Sequence, residues 1–261
     1  MINYRKEIDA LRGIAVLSVI LYHSKLNLNG FEIFKGGFVG VDIFFVISGY
    51  LISSLIYKEL EINKKFSFTH FYERRARRIL PALLFVIIFC LPIAWYYIFP
   101  YNFKDYLLSL LSSIFFSSNF YFYFTRVVYA ADDSILKPFL HTWSLGIEEQ
   151  FYIFFPILFS LFFKTLRKFL LPILIFFIIV SFFLSEFGSK NYPSSTFYLL
   201  HSRIWEILSG SLLAYIELKK KIRSENRIYN EIGTIIGIIL ILFFILFFND
   251  KMFHPSFYTL S

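Results

Sequence analysis

The stretch EIDALRGIAVLSVILYHSK (residues 7–25) has a charged start followed by a run of Leu, Ile, Val and Ala, which is typical of a membrane-spanning helix. Arg12 lies just inside this run, and His23 lies well along it. A charged side chain at the bilayer centre costs about 2.5–3.5 kcal/mol on insertion scales, so such residues normally face a cavity or a partner. We therefore expect this helix to pack within a bundle.

The composition predicts that the bilayer is the solvent for most of the chain. Of 261 residues, 57% are hydrophobic and 22% are aromatic, including 37 Phe, which is more apolar surface than a soluble domain of this size can bury. The first apolar run lacks a small-residue cleavage site, so we interpret it as a retained span. The lone Cys90 excludes an internal disulfide, and nothing in the sequence indicates a metal site.

Eight apolar segments predict an all-α, polytopic transmembrane helix bundle with about 7–9 spans. A net charge of +8 is best explained by basic cytoplasmic loops, and not by binding of nucleic acid. The segments are residues 8–28, 37–57, 79–99, 105–124, 142–163, 170–187, 197–216 and 232–248.

The basic connecting stretches conflict with a simple count of these segments. Residues 58–78, 164–168 and 217–227 are rich in Lys and Arg, and all three should be cytoplasmic, together with the N-terminus. If all eight segments crossed, the second and third stretches would lie outside. Either one segment between residues 79 and 163 does not cross, or an additional short crossing is present there. The weakest candidate is 105–124, which is rich in Ser and Tyr and could be re-entrant.

Arg12 and His23 are expected to share one face of their helix. Eleven residues at 100° each make three turns plus about 20°, and the two side chains are about 16 Å apart along the axis. The two residues would line one polar track. In the alternative interpretation, Arg12 pairs with Asp9 or reaches the headgroups, and His23 lies at the outer interface.

Three further stretches carry candidate site residues. In GGFVGVDIFFVISGYLIS (36–53), the glycines allow close helix packing, and Asp42 could orient or charge-balance His23. In FYERRARRILPA (71–82), Arg75 and Arg78 at i,i+3 could clamp one anion, although they could also be a positive-inside anchor.

The stretch HTWSLGIEEQFY (141–152) is the most informative of the three. His141 and Glu148 are seven residues apart and share a helical face, and Glu149 is adjacent. Two glutamates at a membrane entry are not explained by packing, although the helix dipole would favour them there. In HSRIWEILSGSLLAYI (201–216), Arg203 and Glu206 are expected to pair with each other. Motifs for nucleotide hydrolysis, a nucleophile elbow and zinc binding are absent from the sequence.

These stretches, in this order, resemble acyltransferase family 3, the integral-membrane O-acyltransferases that acetylate bacterial surface sugars. SRIWEILSGSLLA and the tail FHPSFYTL further resemble the branch typified by O-antigen acetylases. The resemblance covers essentially all of residues 1–261 as a transmembrane domain. It implies that further spans and then an SGNH-type esterase domain usually follow, so we expect residues 1–261 to be the N-terminal part of such a protein, incomplete at the C-terminus and without the SGNH-type domain.

The resemblance also implies roles for individual residues. The essential Arg and His of the family fall on Arg12 and His23, and the Arg-x-x-Arg element falls on Arg75 and Arg78, with Arg74 and Arg77 as a second possible register. The family residue before Val-Glu-Glu is often Ser, where this chain has Gly146.

The implied reaction moves an acetyl group from cytoplasmic acetyl-CoA to a hydroxyl of an exported sugar, such as O-antigen, lipopolysaccharide or a lipid-linked sugar. His23 would act as the base or carry the acyl group, and the arginines would bind the CoA phosphates or stabilise negative charge. Glu148 would be catalytic, with Asp42, His141 and Glu149 supporting it, and no metal would be required. The expected location is the bacterial cytoplasmic membrane, with the N-terminus in the cytoplasm.

Two other classes of function remain open from the residues. A proton-coupled transporter could use His23, Asp42 and Glu148 as a relay. A membrane scaffold without catalytic activity would not explain so many ionisable groups within the predicted spans.

Overall fold

The computed structural model describes residues 5–28, 31–98, 100, 102–127, 137–220, 226–249 and 252–257. Its architecture is a bundle of α-helices, as the composition predicts, with a two-residue antiparallel pair, β1 (Asn27–Leu28) and β2 (Phe31–Glu32), after the first helix. The helices are α1 (Lys6–His23), α2 (Val39–Asn63), α3 (Phe68–Ile98), α4 (Phe103–Ile114), α5 (Ser118–Phe124), α6 (Thr142–Thr165), α7 (Leu170–Asn191), α8 (Pro193–Tyr198), α9 (Leu200–Lys220) and α10 (Arg227–Phe247).

Local sequence explains several of the helix ends. Lys64 adopts a left-handed conformation (φ 55°) and ends α2. Pro193 occupies the first turn of α8, where the missing N–H has no cost. The side chain of Asn226 accepts a hydrogen bond from the backbone N–H of Ile228 and so caps the start of α10.

Seven of the described helices are long enough to cross a bilayer. Within the described residues, α2, α3, α6, α7 and α10 are also apolar enough by composition. Helices α1 and α9 contain 18 and 21 residues, and they fall outside that group because both carry several charged side chains. The chain is therefore a multi-pass membrane protein, and the fold class predicted from the sequence is confirmed.

The predicted segment 105–124 is broken into two short helices. Helix α4 has 12 residues and α5 has 7, separated at residues 115–117. At 1.5 Å per residue, α4 spans about 18 Å, which is too short for a hydrocarbon core of about 30 Å. The structure thus favours the first of the two alternatives above, in which this segment does not cross as a single helix.

The basic stretches lie at one end of the bundle. Arg5 forms an ion pair with Glu217 at the end of α9, and Arg167, between α6 and α7, pairs with Glu61 near the end of α2. The opposite end contains Gly37 against Ser18 of α1, and Gly36 against Phe244 of α10. This arrangement agrees with the charge bias that the sequence predicts. Residues 221–225, which include predicted basic positions, lie outside the described part.

Helix α2 packs closely on its neighbours because glycines line its contacts. A side chain at Gly40 would overlap the carbonyl oxygen of Ala15 on α1. Gly49 meets the backbone of Ile207 on α9, and Gly210 of α9 meets the backbone of Val46 in return. The close backbone approach expected from the glycines of residues 36–53 is confirmed.

We expect Gly49→Ala and Gly210→Ala to destabilise the bundle, because each added methyl group collides with backbone that cannot move aside. Overpacking of this kind costs about 1–3 kcal/mol. Gly237→Ala on α10 is the matched control, since its added methyl group meets nothing within 4 Å and alanine favours the helix. Thermal unfolding in detergent measures the difference. Equal stability of all three variants would contradict the packing described here.

Candidate active site

Side chains from three helices, α1, α3 and α6, form a charged group. Arg78 of α3 interacts electrostatically with Arg12 of α1, with its neighbour Arg75, and with Glu148 and Tyr152 of α6. We call these five residues the arginine–glutamate cluster. Glu148 is six residues into α6, or about 9 Å from its start, so the cluster lies within the span.

Glu148 is held in place by two hydroxyl groups. Its Oε2 atom accepts hydrogen bonds from Oγ of Ser48 on α2, at 2.9 Å, and from Oη of Tyr152, at 2.7 Å. The guanidinium group of Arg75 lies 4.1 Å from the centroid of the Tyr152 ring. Both Arg75 and Arg78 interact electrostatically with the carboxylate. The cluster therefore joins two arginines to one fixed carboxylate.

Arg12 forms the ion pair of the alternative interpretation and also lies near Arg78. Its Nη1 atom lies 3.1 Å from Oδ1 of Asp9, as the alternative interpretation predicts, and it also interacts with Arg78. The carboxylate of Asp9 is 43% exposed, and ion pairs of this kind contribute only about 0–1 kcal/mol. An anionic ligand could replace Asp9 at little cost.

The structure distinguishes the two arginine registers of α3. Arg75 and Arg78 face the arginine–glutamate cluster. Arg77 instead pairs with Glu73, with 2.8 Å between its Nη2 atom and Oε1, and its side chain is 79% exposed. Arg74 is exposed, and so is Arg78, so the two registers differ in the groups they meet and not in their exposure. The Arg75 and Arg78 register is thus the one that meets the other site candidates.

Glu149 lies beside the cluster in a different environment from Glu148. It is buried, and its Oε1 atom has no hydrogen-bond partner in the described part of the chain. Glu149 interacts electrostatically with Arg75 and with Glu148. The two adjacent glutamates therefore both act on Arg75, from two faces of α6.

Two histidines lie near each other, one at the end of α1 and the other just before α6. His23 is the last residue of α1, and His141 directly precedes α6 and interacts electrostatically with His23. Nδ1 of His23 is 2.8 Å from the carbonyl oxygen of Val19, and Nδ1 of His141 is 2.9 Å from that of Pro138. Because a carbonyl only accepts, each neutral ring carries its proton on Nδ1, which leaves Nε2 as the basic atom.

Asp42 belongs to a second polar group, which contains Arg203 and His254, although the sequence suggested a role in orienting or charge-balancing His23. Its Oδ1 atom is 3.0 Å from Nη1 of Arg203 and 3.6 Å from Nε2 of His254. Arg203 also pairs with Glu206 at 3.1 Å, as the i,i+3 spacing predicts. The structure thus places Asp42 with Arg203, whereas Nδ1 of His23 lies 2.8 Å from the carbonyl oxygen of Val19.

Sequence reasoning missed two hydroxyl groups of the site. Tyr152 follows Glu148 by four residues, so helical spacing alone could have indicated their contact. Ser48 comes from another helix, and a serine within a span is too common a feature to single it out. Within the described residues, no group of three or more His, Cys, Asp or Glu is arranged to hold a metal ion.

Comparisons with known proteins point in one direction. The family model described as "Acyltransferase domain" matches residues 5–261. The peptidoglycan O-acetyltransferase OatA of Listeria monocytogenes is 37% identical over 218 residues, which cover 82% of this chain and 34% of that protein. The O-acetyltransferase OatA of Staphylococcus aureus is 40% identical over 156 residues, or 59% of this chain and 24% of that protein.

The chain matches only part of the length of these relatives. The chain spans about a third of the length of the curated relative from Listeria monocytogenes. No solved structure matches the chain.

Proposed function

This chain belongs to the acyltransferase family whose model matches residues 5–261, and we propose that it is a membrane O-acyltransferase. In this proposal, an acyl group, with acetyl as the first candidate, moves from cytoplasmic acyl-CoA to a hydroxyl of a glycan outside the membrane. The names of the relatives, which specify O-acetyltransferases, support the acetyl group.

The observation that carries the proposal is the arginine–glutamate cluster. Guanidinium groups bind phosphate oxygens in a bidentate manner, and CoA thioesters carry several phosphates. Arg12, Arg75 and Arg78 come from two helices and converge on one place inside a membrane protein. Charged groups in that position are costly unless they serve a ligand or a partner. An anionic donor is the ligand that best fits them.

The proposed step is an attack by a hydroxyl oxygen on the thioester carbonyl carbon. The carbon–sulfur bond breaks and CoA leaves as the thiolate, which is protonated by solvent, while Nε2 of His23 takes the hydroxyl proton. The hydrogen bond from Nδ1 to Val19 prepares the ring for this role. Guanidinium groups near the carbonyl would stabilise the negative charge that develops on its oxygen.

An alternative within the same proposal lets His23 carry the acyl group. Nε2 would attack the thioester first, and the glycan hydroxyl would then attack the acyl-imidazole. Incubation with radiolabelled acetyl-CoA in the absence of acceptor distinguishes the two. Label that is retained on the protein and lost in His23→Ala supports the carrier, and absence of label supports the base.

The acceptor is proposed to be peptidoglycan. The name of the relative from Listeria monocytogenes, a peptidoglycan O-acetyltransferase, supports this choice over O-antigen and lipopolysaccharide, which the sequence resemblance suggested first. The other proposed partners are acyl-CoA and the lipid bilayer.

Release of CoA tests the proposal against the transporter alternative. Membranes that contain the full-length protein should release CoA from acetyl-CoA only when an acceptor glycan is added, with peptidoglycan fragments more effective than O-antigen. A transporter would move a solute without consuming acetyl-CoA. Transport without acceptor-dependent release would overturn the proposal.

We also propose that the chain lies in the bacterial cytoplasmic membrane with its N-terminus in the cytoplasm. The support is the positive-inside rule, since the basic stretches share one end of the bundle. Lys168 and Lys190 provide a matched test, because they flank α7 at its two ends and both are exposed.

We expect Lys190→Cys, in a Cys90→Ala background, to react with a membrane-impermeant maleimide in intact cells, where the reagent reaches only the outer face. Lys168→Cys should react only after the cells are opened, because it lies at the basic end. Quantified labelling on gels measures this difference. The reverse pattern would show that the orientation is inverted.

A further inference from the structure

A cavity of about 620 Å³ lies on another side of the bundle from the proposed catalytic residues. Helices α1, α2, α7, α9 and α10 surround it. On α2, Asp42 faces this cavity whereas Ser48 contacts Glu148, and six residues of helix separate the two by about 120° around the axis. Most of the cavity wall is aliphatic or aromatic and includes Ile43, Val46, Ile179, Phe182, Ile241 and Phe244.

One part of the cavity wall is polar and incompletely paired. Asp42, Glu206, Ser209 and Trp205 contribute to it. The carboxyl groups of Asp42 and Glu206 hydrogen-bond to each other, whereas Nε1 of Trp205 has no hydrogen-bond partner among the described residues, although this residue is more than nine-tenths buried. Buried polar atoms normally find partners, so a ligand that accepts a hydrogen bond from the indole N–H is expected.

The charges beside the cavity disfavour an anionic ligand. The single guanidinium of Arg203 contacts both Asp42 and Glu206, which leaves no excess positive charge. Burial lowers the pKa of His254 well below its usual range, and the nearby Arg203 lowers it further, so this ring is neutral at pH 7. Phosphate or carboxylate headgroups would meet two carboxyl groups.

The unpaired donors also disfavour a cation. The indole N–H of Trp205 and Nη2 of Arg203 both lack an acceptor within the described residues, and an ammonium group offers none. A hydroxyl group both donates and accepts. It can donate to a carboxyl oxygen and accept from the indole N–H at the same time.

The position of the cavity indicates that its ligand comes from the bilayer. Ile179 and Phe183 of α7 line the cavity and are 48% and 66% exposed on the apolar surface of a membrane helix. The volume lies within the range of about 300–1,000 Å³ that is typical of small-ligand sites, and one alkyl chain with a small head group is of that size.

We propose that this cavity binds a single-chain lipid with an uncharged hydroxyl head group. The apolar walls take the alkyl chain, and the hydroxyl accepts a hydrogen bond from the indole N–H of Trp205 beside the paired carboxyl groups of Asp42 and Glu206. This inference does not depend on the proposed transferase activity.

Photolabelling tests the inference on the full chain in phosphatidylcholine nanodiscs. The probes are hexadecanol, hexadecanoic acid and hexadecylamine, each with a diazirine in the chain and a terminal alkyne, and mass spectrometry locates the labelled peptides. Hexadecanol should label α7 and α9 about tenfold more than the other two, the effect of one hydrogen-bonded head group. Equal labelling by the acid or the amine would overturn the inference.

Two variants on α10 make the site assignment specific. Ile241→Trp should fill the cavity and reduce hexadecanol labelling about tenfold. Ile236→Trp is the control and should not change the labelling, because Ile236 lies on the same helix, is 52% exposed and does not line the cavity. Trp205→Phe removes the donor and keeps an aromatic ring, so it should remove the preference for the alcohol. Labelling that Ile241→Trp leaves unchanged would place the lipid elsewhere.

Discussion

Replacing His23 by alanine is expected to slow acyl transfer to the acceptor about 10²–10⁴-fold, the usual contribution of a positioned base. The physical reason is the hydrogen bond between Nδ1 and the carbonyl of Val19, which leaves Nε2 as the basic atom. The variant should still insert at normal levels, because His23 is exposed at the end of α1. Ester formation per amount of membrane-inserted protein measures the effect.

His70 provides the matched control for this substitution. It is 62% exposed, lies at the start of α3 and has Glu73 as its ionic neighbour. His70→Ala should leave the transfer rate unchanged. Added imidazole should restore part of the activity of His23→Ala if the ring acts as a base. Full activity of His23→Ala without imidazole would end the proposed role of His23.

Helical periodicity predicted which side chains share a face, and the structure agrees where one helix is concerned. Arg12 and His23 are on one helix, and each has a neighbour from α3 or from the start of α6. Glu148 and His141, which the spacing also places on one face, make the corresponding contacts: Glu148 interacts with Arg78, and His141 interacts with His23. The weak segment 105–124 was identifiable because Ser and Tyr lower its hydropathy, and it is broken in the structure.

The periodicity of one helix does not predict which residues of another helix it contacts. The spacing of the four arginines shows that two registers exist, but it cannot say which register faces α6. That choice depends on where α6 lies, and Glu148 and Tyr152 settle it. Asp42 finds Arg203, a residue 161 positions away, and no local pattern identifies such a partner. The sequence-based expectation paired it with His23 because both were unusual polar residues in neighbouring spans.

Arg75→Ala and Arg78→Ala are each expected to raise the KM for acyl-CoA about 10–100-fold. A hydrogen bond to a charged group contributes about 1.5–3 kcal/mol, and a phosphate contact of that strength would be lost. Arg77→Ala is the control within the same turn of α3, since its guanidinium pairs with the exposed Glu73. Steady-state kinetics with varied acetyl-CoA measures the change. An equal effect of Arg77→Ala would mean that positive charge alone matters at this helix.

The division between KM and kcat identifies what each arginine does. An arginine that holds the CoA phosphates does so before and during the reaction, so its loss raises KM and leaves kcat nearly constant. An arginine that stabilises the oxyanion acts only in the transition state, so its loss lowers kcat. Arg12 is expected to show the first pattern. Its guanidinium lies beside Asp9 and near Arg78, whereas His23 is about 16 Å further along the helix axis, so Arg12 belongs with the arginines that hold the donor phosphates. An Arg12→Ala variant with lowered kcat and unchanged KM would instead assign Arg12 to the transition state.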